Sequence, residues 1–227
     1  MEEYIINTQQ LIAANAKGDL LEPESYQTIA GLIPTIKAAI NDYNDEEQVA
    51  AVQNLLQPLE SIFIQNLWTY EYLDKAVRLP DEVYWHKLLY FYIEAENLGT
   101  DNKRRDQLLR SLFVERQKMK AKKKRKLMMY TTDRQHFSQL PESFTIYRGQ
   151  DLFFELGWSW TLAPQVAKFF ASRFNQSEYE EPVILEAMVS KKDVIAFSNI
   201  RDEFEVIIDP LSITKYTASD LEVYKTA

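Results

Sequence analysis

Cysteine is absent from the 227 residues, and histidine occurs only at His86 and His136. The chain therefore has no disulfide framework, no thiol nucleophile and no Cys-ligated zinc or iron–sulfur site. The two His stand 50 residues apart, which excludes an HExxH helix, and no metal is expected. Glycine is scarce too, with five residues at positions 18, 31, 99, 149 and 157. Neither GxGxxG nor GxxxxGK[ST] occurs, so the phosphate cradles of Rossmann and P-loop folds are excluded. No apolar run approaches the ~20 residues of a membrane-spanning helix. The opening residues MEEYIINTQQ lack the basic start and apolar stretch of a secretory signal. A cytoplasmic protein with no membrane partner is the expectation.

What is present is an ordinary globular composition, 46% hydrophobic and 26% charged, in a chain long enough to bury a core. The net charge of −8 is unevenly spread. Residues 1–100 carry 5 basic and 16 acidic side chains, whereas residues 101–126 carry 12 basic and 3 acidic. That middle run, DNKRRDQLLRSLFVERQKMKAKKKRK, suits phosphate through counterion release, or equally a solvated helix face. Leu108, Leu109, Leu112, Phe113 and Met119 form a helical stripe within it, so part of it should pack. The expected organisation is an acidic helical domain over 1–100, a basic helical connector over 101–130 and a third part over 131–227.

Helical periodicity dominates the first part. Tyr26–Tyr43 repeats apolar residues through Ile29, Leu32, Ile36 and Ile40. Asn44–Val77 opens on an Asn N-cap followed three residues later by Glu47, with Pro58 as a kink. Pro80–Asn97 follows with the same spacing. The aromatics Trp68, Tyr70, Tyr72, Tyr84, Trp85, Tyr90, Phe91 and Tyr92 read chiefly as core, with a partner-binding surface as the alternative. Beyond residue 140 the period shortens to that of strands, over 144–148, 183–189, 194–197, 205–209, 212–216 and 221–224. One helix interrupts them over 164–174, with Pro164 at its first position and Val166, Phe169, Phe170 and Phe174 on one face. Helices first, then strands with one helix, predict an α+β protein.

Three motifs in this last part carry chemistry. Tyr147-Arg148-Gly149 ends a strand, Gly157-Trp158-Ser159-Trp160-Thr161 leads into the helix, and Arg201-Asp202-Glu203-Phe204-Glu205 precedes Val206-Ile207-Ile208. In this order the motifs resemble the arginine–serine–glutamate class of ADP-ribosyltransferases, which includes cholera-type and C3-type toxins. The family pattern is aromatic-Arg-Gly, then Ser-Thr-Ser, then Glu-x-Glu. Trp160 stands where the family has Thr, and Thr161 replaces the last Ser. The resemblance spans residues 140–227. It implies a C-terminal core of two packed sheets with NAD⁺ bound between them, and transfer of ADP-ribose with release of nicotinamide. It also implies a bacterial or phage effector or toxin, for which a neutralising protein partner is a reasonable corollary. By the same resemblance Arg148, flanked by Tyr147 and Gly149, binds an NAD⁺ phosphate. Ser159, Trp160 and Thr161 form the serine element, Glu205 is the catalytic glutamate, and Glu203 is the first glutamate of the pair.

The residue types suit these roles. A guanidinium holds phosphate through a planar fork. Cleaving the nicotinamide–ribose bond builds positive charge on the sugar, which a carboxylate stabilises. Glu203, two residues before Glu205, is expected on the same side of an extended chain, where it could position or deprotonate the attacking group. Two carboxylates so close should raise one pKa. A Trp beside Ser159 could wall off the nicotinamide. The macromolecular acceptor divides between two classes. The basic run, with Lys122, Lys123, Lys124, Arg125 and Lys126 as contacts, leans toward RNA, while Glu-x-Glu in the family accompanies protein arginine. A module of the same fold that binds RNA or protein without catalysis is the third reading.

Overall fold

The computed structural model describes residues 23–95, 102–116, 121–173 and 181–220. The chain is α+β and divides into two compact units, Met1–Lys118 and Met119–Ala227. The basic run is shared between them, because Asn102–Arg110 belongs to the first unit and Ala121–Met128 to the second. Among the described residues no helix is long and apolar enough to cross a membrane.

The first unit is helical: α1 (Pro23–Asp42), α2 (Asp45–Leu56), α3 (Glu60–Gln65), α4 (Leu67–Val77), α5 (Asp81–Glu94) and α6 (Asn102–Arg110). The segment expected as one helix over 44–77 is broken twice. Asn44 caps its start, its side chain accepting from the Glu47 amide at 3.3 Å. Around Pro58 the helix tightens into a 3₁₀ turn, Gln57–Leu59, because proline supplies no amide for the α-helical ladder. At Asn66 the backbone turns extended, and this side chain accepts from the Trp68 amide at 2.8 Å, so a second N-cap starts α4.

Most of the aromatic run is core: Tyr70, Tyr72, Tyr84, Trp85, Phe91 and Tyr92 are buried, while Trp68 and Tyr90 are half-buried. Tyr70 lies edge-on to Phe63 and Phe91, with ring centroids 5.3 and 5.1 Å apart, and stacks on Tyr84 at 5.4 Å. Burial of two phenols requires acceptors. The Tyr70 hydroxyl donates to the Tyr84 carbonyl and the Tyr84 hydroxyl to the Leu112 carbonyl, both at 3.0 Å. Burial pushes both phenols well above their usual pKa. Leu108, Leu109, Leu112 and Phe113 are buried as their spacing predicts, whereas Met119 lies outside the described residues.

The second unit opens with α7 (Ala121–Met128) and α8 (Thr131–Gln139). There follow β1 (Ser143–Asp151), β2 (Ser159–Thr161), α9 (Pro164–Ser172), β3 (Pro182–Ser190), β4 (Val194–Ser198), β5 (Glu205–Ile208) and β6 (Thr217–Asp220). The strands form one antiparallel sheet in the order β4-β5-β2-β1-β3-β6. The resemblance implies two sheets. Here the halves β4-β5-β2 and β1-β3-β6 join through the short β2, which meets β1 at the one register pair Tyr147↔Thr161. The strand expected over 212–216 is absent. Pro210–Ser212 forms a 3₁₀ turn capped by Asp209, whose side chain accepts from the Leu211 amide. The strand expected over 221–224 lies outside the described residues.

Helix α9 packs on β1 and β3 through a face that periodicity alone does not identify. Its buried residues are Ala167 and Ala171, while Phe169 is 57% exposed and Val166 and Phe170 are half-buried. Phe174 lies outside the described residues. The reason is Gly149: a Cβ there would stand 1.9 Å from the Ala167 carbonyl oxygen and 2.4 Å from the Ala171 amide nitrogen. Helix backbone sits directly on strand backbone, an approach that only small residues permit. Gly149→Ala is expected to destabilise the second unit by about 2–3 kcal/mol, because the added atom meets backbone and not a movable side chain. Urea denaturation of the variant checks this.

Candidate active site

The sheet order brings the three sequence motifs onto adjacent strands, with Arg148 on β1, Ser159 and Thr161 on β2, and Glu205 at the start of β5. Ser159 and Thr161, two apart on an extended strand, share a face. Glu205 pairs in register with Thr161, so its side chain joins that face. The Ser159 hydroxyl donates to Glu205 Oε1 at 2.5 Å, the short distance of a charge-assisted bond.

Glu205 is 6% exposed. Burial raises its pKa, and the nearby Glu203 adds to this. The Ser159 hydrogen bond, Arg201 and Arg148 oppose the shift. The like-charge pair anticipated from the sequence does contribute, but desolvation is the larger cause.

Arg148 is held by its neighbours. Its Nε donates to Gln150 Oε1 at 2.7 Å and its Nη1 to the Ser159 carbonyl at 2.6 Å. Gln150 is itself anchored, its Nε2 donating to the Phe154 carbonyl at 2.8 Å. The guanidinium lies over Gly157, where a Cβ would come within 2.4 Å of both Arg148 Cζ and Nη2. Gly157 thus makes the shelf on which Arg148 rests.

The Glu203 turn departs from the extended chain expected of it. Asp202 and Phe204 both have left-handed backbones, at φ 56° and 49°, and β5 begins only at Glu205. A left-handed Phe is costly, by roughly 1–2 kcal/mol, and persists only where the surroundings impose it. Asn199 Oδ1 accepts from the Phe204 amide at 3.0 Å, and the Leu162 amide donates to the Phe204 carbonyl at 3.1 Å. Thr161 Oγ1 donates to the Glu203 carbonyl at 2.6 Å and accepts from the Ala163 amide at 3.0 Å. Thr161 is therefore a brace for the glutamate turn. Buried Asp133, on α8, supports the same turn by accepting from the Asn199 amide at 3.3 Å.

Other anticipated residues fall elsewhere. Trp160 is buried on the strand face opposite Ser159, its indole donating to the Gly157 carbonyl at 2.9 Å, and Trp158 is buried as well. Tyr147 packs beside Ala167, Ala171 and Ile184 beneath α9. In the basic run, Arg125 is committed to the fold. Its Nε and Nη2 donate to the carbonyls of Val194 and Lys192 at 2.9 and 2.8 Å, and its guanidinium lies 5.3 Å from the Phe137 ring. Lys123 and Lys126 are exposed and Lys124 is half-buried, and the side chain of Lys122 lies outside the described residues. The sequence points to no role for Gln150, Asn199, Asp133 or Arg201. Only Arg201 carried a signal, as a cation two residues before Glu203.

Among the described residues no group of three or more His, Asp or Glu is placed to hold a metal ion. Compared with known protein families, curated proteins and solved structures, the chain gives no match.

Proposed function

We propose that the chain is an NAD⁺-dependent mono-ADP-ribosyltransferase acting on an intracellular macromolecule. The observation that carries this reading is the hydrogen bond from Ser159 to the buried Glu205 carboxylate, with Arg148 bonded to the Ser159 carbonyl and Glu203 two residues away. A carboxylate fixed by a neutral donor is preorganised to face positive charge developing on a ribose. Nicotinamide leaves neutral, so the site needs no general acid. Arg148, resting on Gly157 and steered by Gln150, offers a planar donor to a phosphate. Glu203, less buried than Glu205, is suited to orient an acceptor and take its proton. The two-sheet core of the resembling class belongs to the same reading, with the narrow β1–β2 joint as the place where the sheet would divide.

Two acceptor classes follow. A guanidinium acceptor is favoured by the contact between Arg201 and Glu203, at 2.9 Å, which displays a guanidinium held by that carboxylate. RNA is favoured by the exposed Lys123 and Lys126, with Arg125 removed from the set of contacts. The test is incubation of the protein with labelled NAD⁺ and a cell lysate, followed by separate ribonuclease and protease digestion. Label lost only to protease assigns the protein acceptor, and label lost to ribonuclease assigns RNA. Absence of both label and released nicotinamide would leave a binding module.

Gly157→Ala tests the role of Arg148. The new methyl displaces the guanidinium, so the KM for NAD⁺ should rise about tenfold, the loss expected for roughly one charged hydrogen bond. Steady-state nicotinamide release checks it, and an unchanged KM would remove Arg148 from NAD⁺ binding.

A further inference from the structure

Arg201 reaches both glutamates of the candidate site. Its Nη2 donates to Glu203 Oε2 at 2.9 Å and lies 3.9 Å from Glu205 Oε2. One nitrogen thus stands by the carboxylate assigned to the acceptor and near the one assigned to the ribose. Stability does not account for this placement, since Arg201 is 44% exposed and pairs of that kind contribute little. The arrangement follows from the turn itself: left-handed Asp202 folds the chain so that residues 201 and 203 meet side by side. An exposed side chain tethered two residues from Glu203 is held at high effective concentration, needing no encounter to reach the site.

We propose that Arg201 is an acceptor in cis, so that the protein ADP-ribosylates its own Arg201. The inference rests on the transferase reading of the same site. In the step, the bond between C1″ of the ribose and the nicotinamide nitrogen breaks, and its electron pair leaves with neutral nicotinamide. Arg201 Nη2 forms the new bond to C1″, and the proton it loses passes to the Glu203 carboxylate. The positive charge of the nicotinamide ring ends on the substituted guanidinium, so charge and atoms balance. A modified Arg201 then stands in front of Glu203 and blocks further acceptors, which makes the reaction self-limiting.

The experiment uses the full chain with NAD⁺ radiolabelled in its adenylate phosphate and no added acceptor, and follows nicotinamide release in parallel. The expected result is label on Arg201 by peptide mapping, saturating at a single label per chain. Its first-order rate should be unchanged on about tenfold dilution of the protein, as an intramolecular step requires. In Arg201→Gln the label per nicotinamide released should fall by about tenfold or more. Glu205→Gln protein mixed with active wild type should stay unlabelled. Nicotinamide release without self-labelling, label confined to another residue, or label on the Glu205→Gln chain would each overturn the assignment while leaving the transferase reading in place. No nicotinamide release from wild type would overturn both.

Discussion

Glu205→Gln is expected to lower nicotinamide release by about 10²–10³-fold, the range found when a preorganised electrostatic group is removed from a transition state. The amide keeps the size of the side chain and an oxygen for the Ser159 hydroxyl, so the fold should survive. What is lost is the negative charge facing the ribose. The same variant should be more stable than wild type near neutral pH, and the sign follows from linkage. Burial raises the Glu205 pKa in the folded state. Between the ordinary value and the raised one, the folded chain holds a proton that the unfolded chain has released. Wild type therefore loses stability as pH rises through that window and bears the full penalty above it. The neutral amide of the variant carries no such penalty. Thermal denaturation should give a higher midpoint for the variant at about pH 8, with the difference shrinking toward about pH 4. A variant less stable at both values would show that the carboxylate serves the fold, contrary to the role assigned to it. Gain of stability with loss of activity is the behaviour of a functional group held against its preference.

The second large effect lies in the helical unit. Arg116→Met should destabilise that unit by about 3–5 kcal/mol, the range for removing one partner of a buried ion pair. Arg116 is 3% exposed and donates through Nε and Nη2 to both Asp74 oxygens, each at 2.8 Å. Its Nη1 reaches Asp81 Oδ1 at 2.7 Å and its Nη2 the Leu79 carbonyl at 2.7 Å. Its guanidinium also lies over the Tyr84 ring at 3.7 Å. Burial works against the charge, but Asp74 and Asp81 outweigh it and raise the Arg116 pKa. Methionine would fill much of the space yet take from buried Asp74 its two 2.8 Å guanidinium bonds, leaving it the exposed Arg78 at 3.6 Å. Adding Asp74→Asn to the variant should recover part of the loss, because the stranded charge is then gone. Urea titration of the two variants measures this, and equal losses in both would mean that packing of the Arg stem is what matters.

Arg116 shows how far sequence reading reaches. In the sequence it is one of 12 basic residues in the run 101–126, a stretch that suits a phosphate-binding face or a solvated helix. The structure places it in a buried network with residues 35 and 42 positions away. Arg125 repeats the lesson, since its carbonyl acceptors Lys192 and Val194 lie 67 and 69 positions along the chain. Cations in a run look alike in a sequence, and only long-range packing sorts them into structural and exposed.

The sequence by itself determined the α+β order, the Asn44 cap, the break at Pro58, the helix after Pro164 and the three motifs of the candidate site. Each depends on local physics: apolar periodicity, capping chemistry, proline geometry and the residue types that charge and phosphate require. Tertiary structure decided the rest. Asn66 stopped a helix that periodicity would have continued. Gly149 selected the alanine face of α9 over its phenylalanine face, because the strand beneath left room only for small side chains. Register carried Ser159 to Glu205 across 46 positions of sequence. The left-handed residues flanking Glu203 turned a chain expected to be extended and brought Arg201 beside both glutamates. Those outcomes hang on contacts between residues distant in the chain, whose strength depends on burial and approach distance, and neither quantity is written in local sequence.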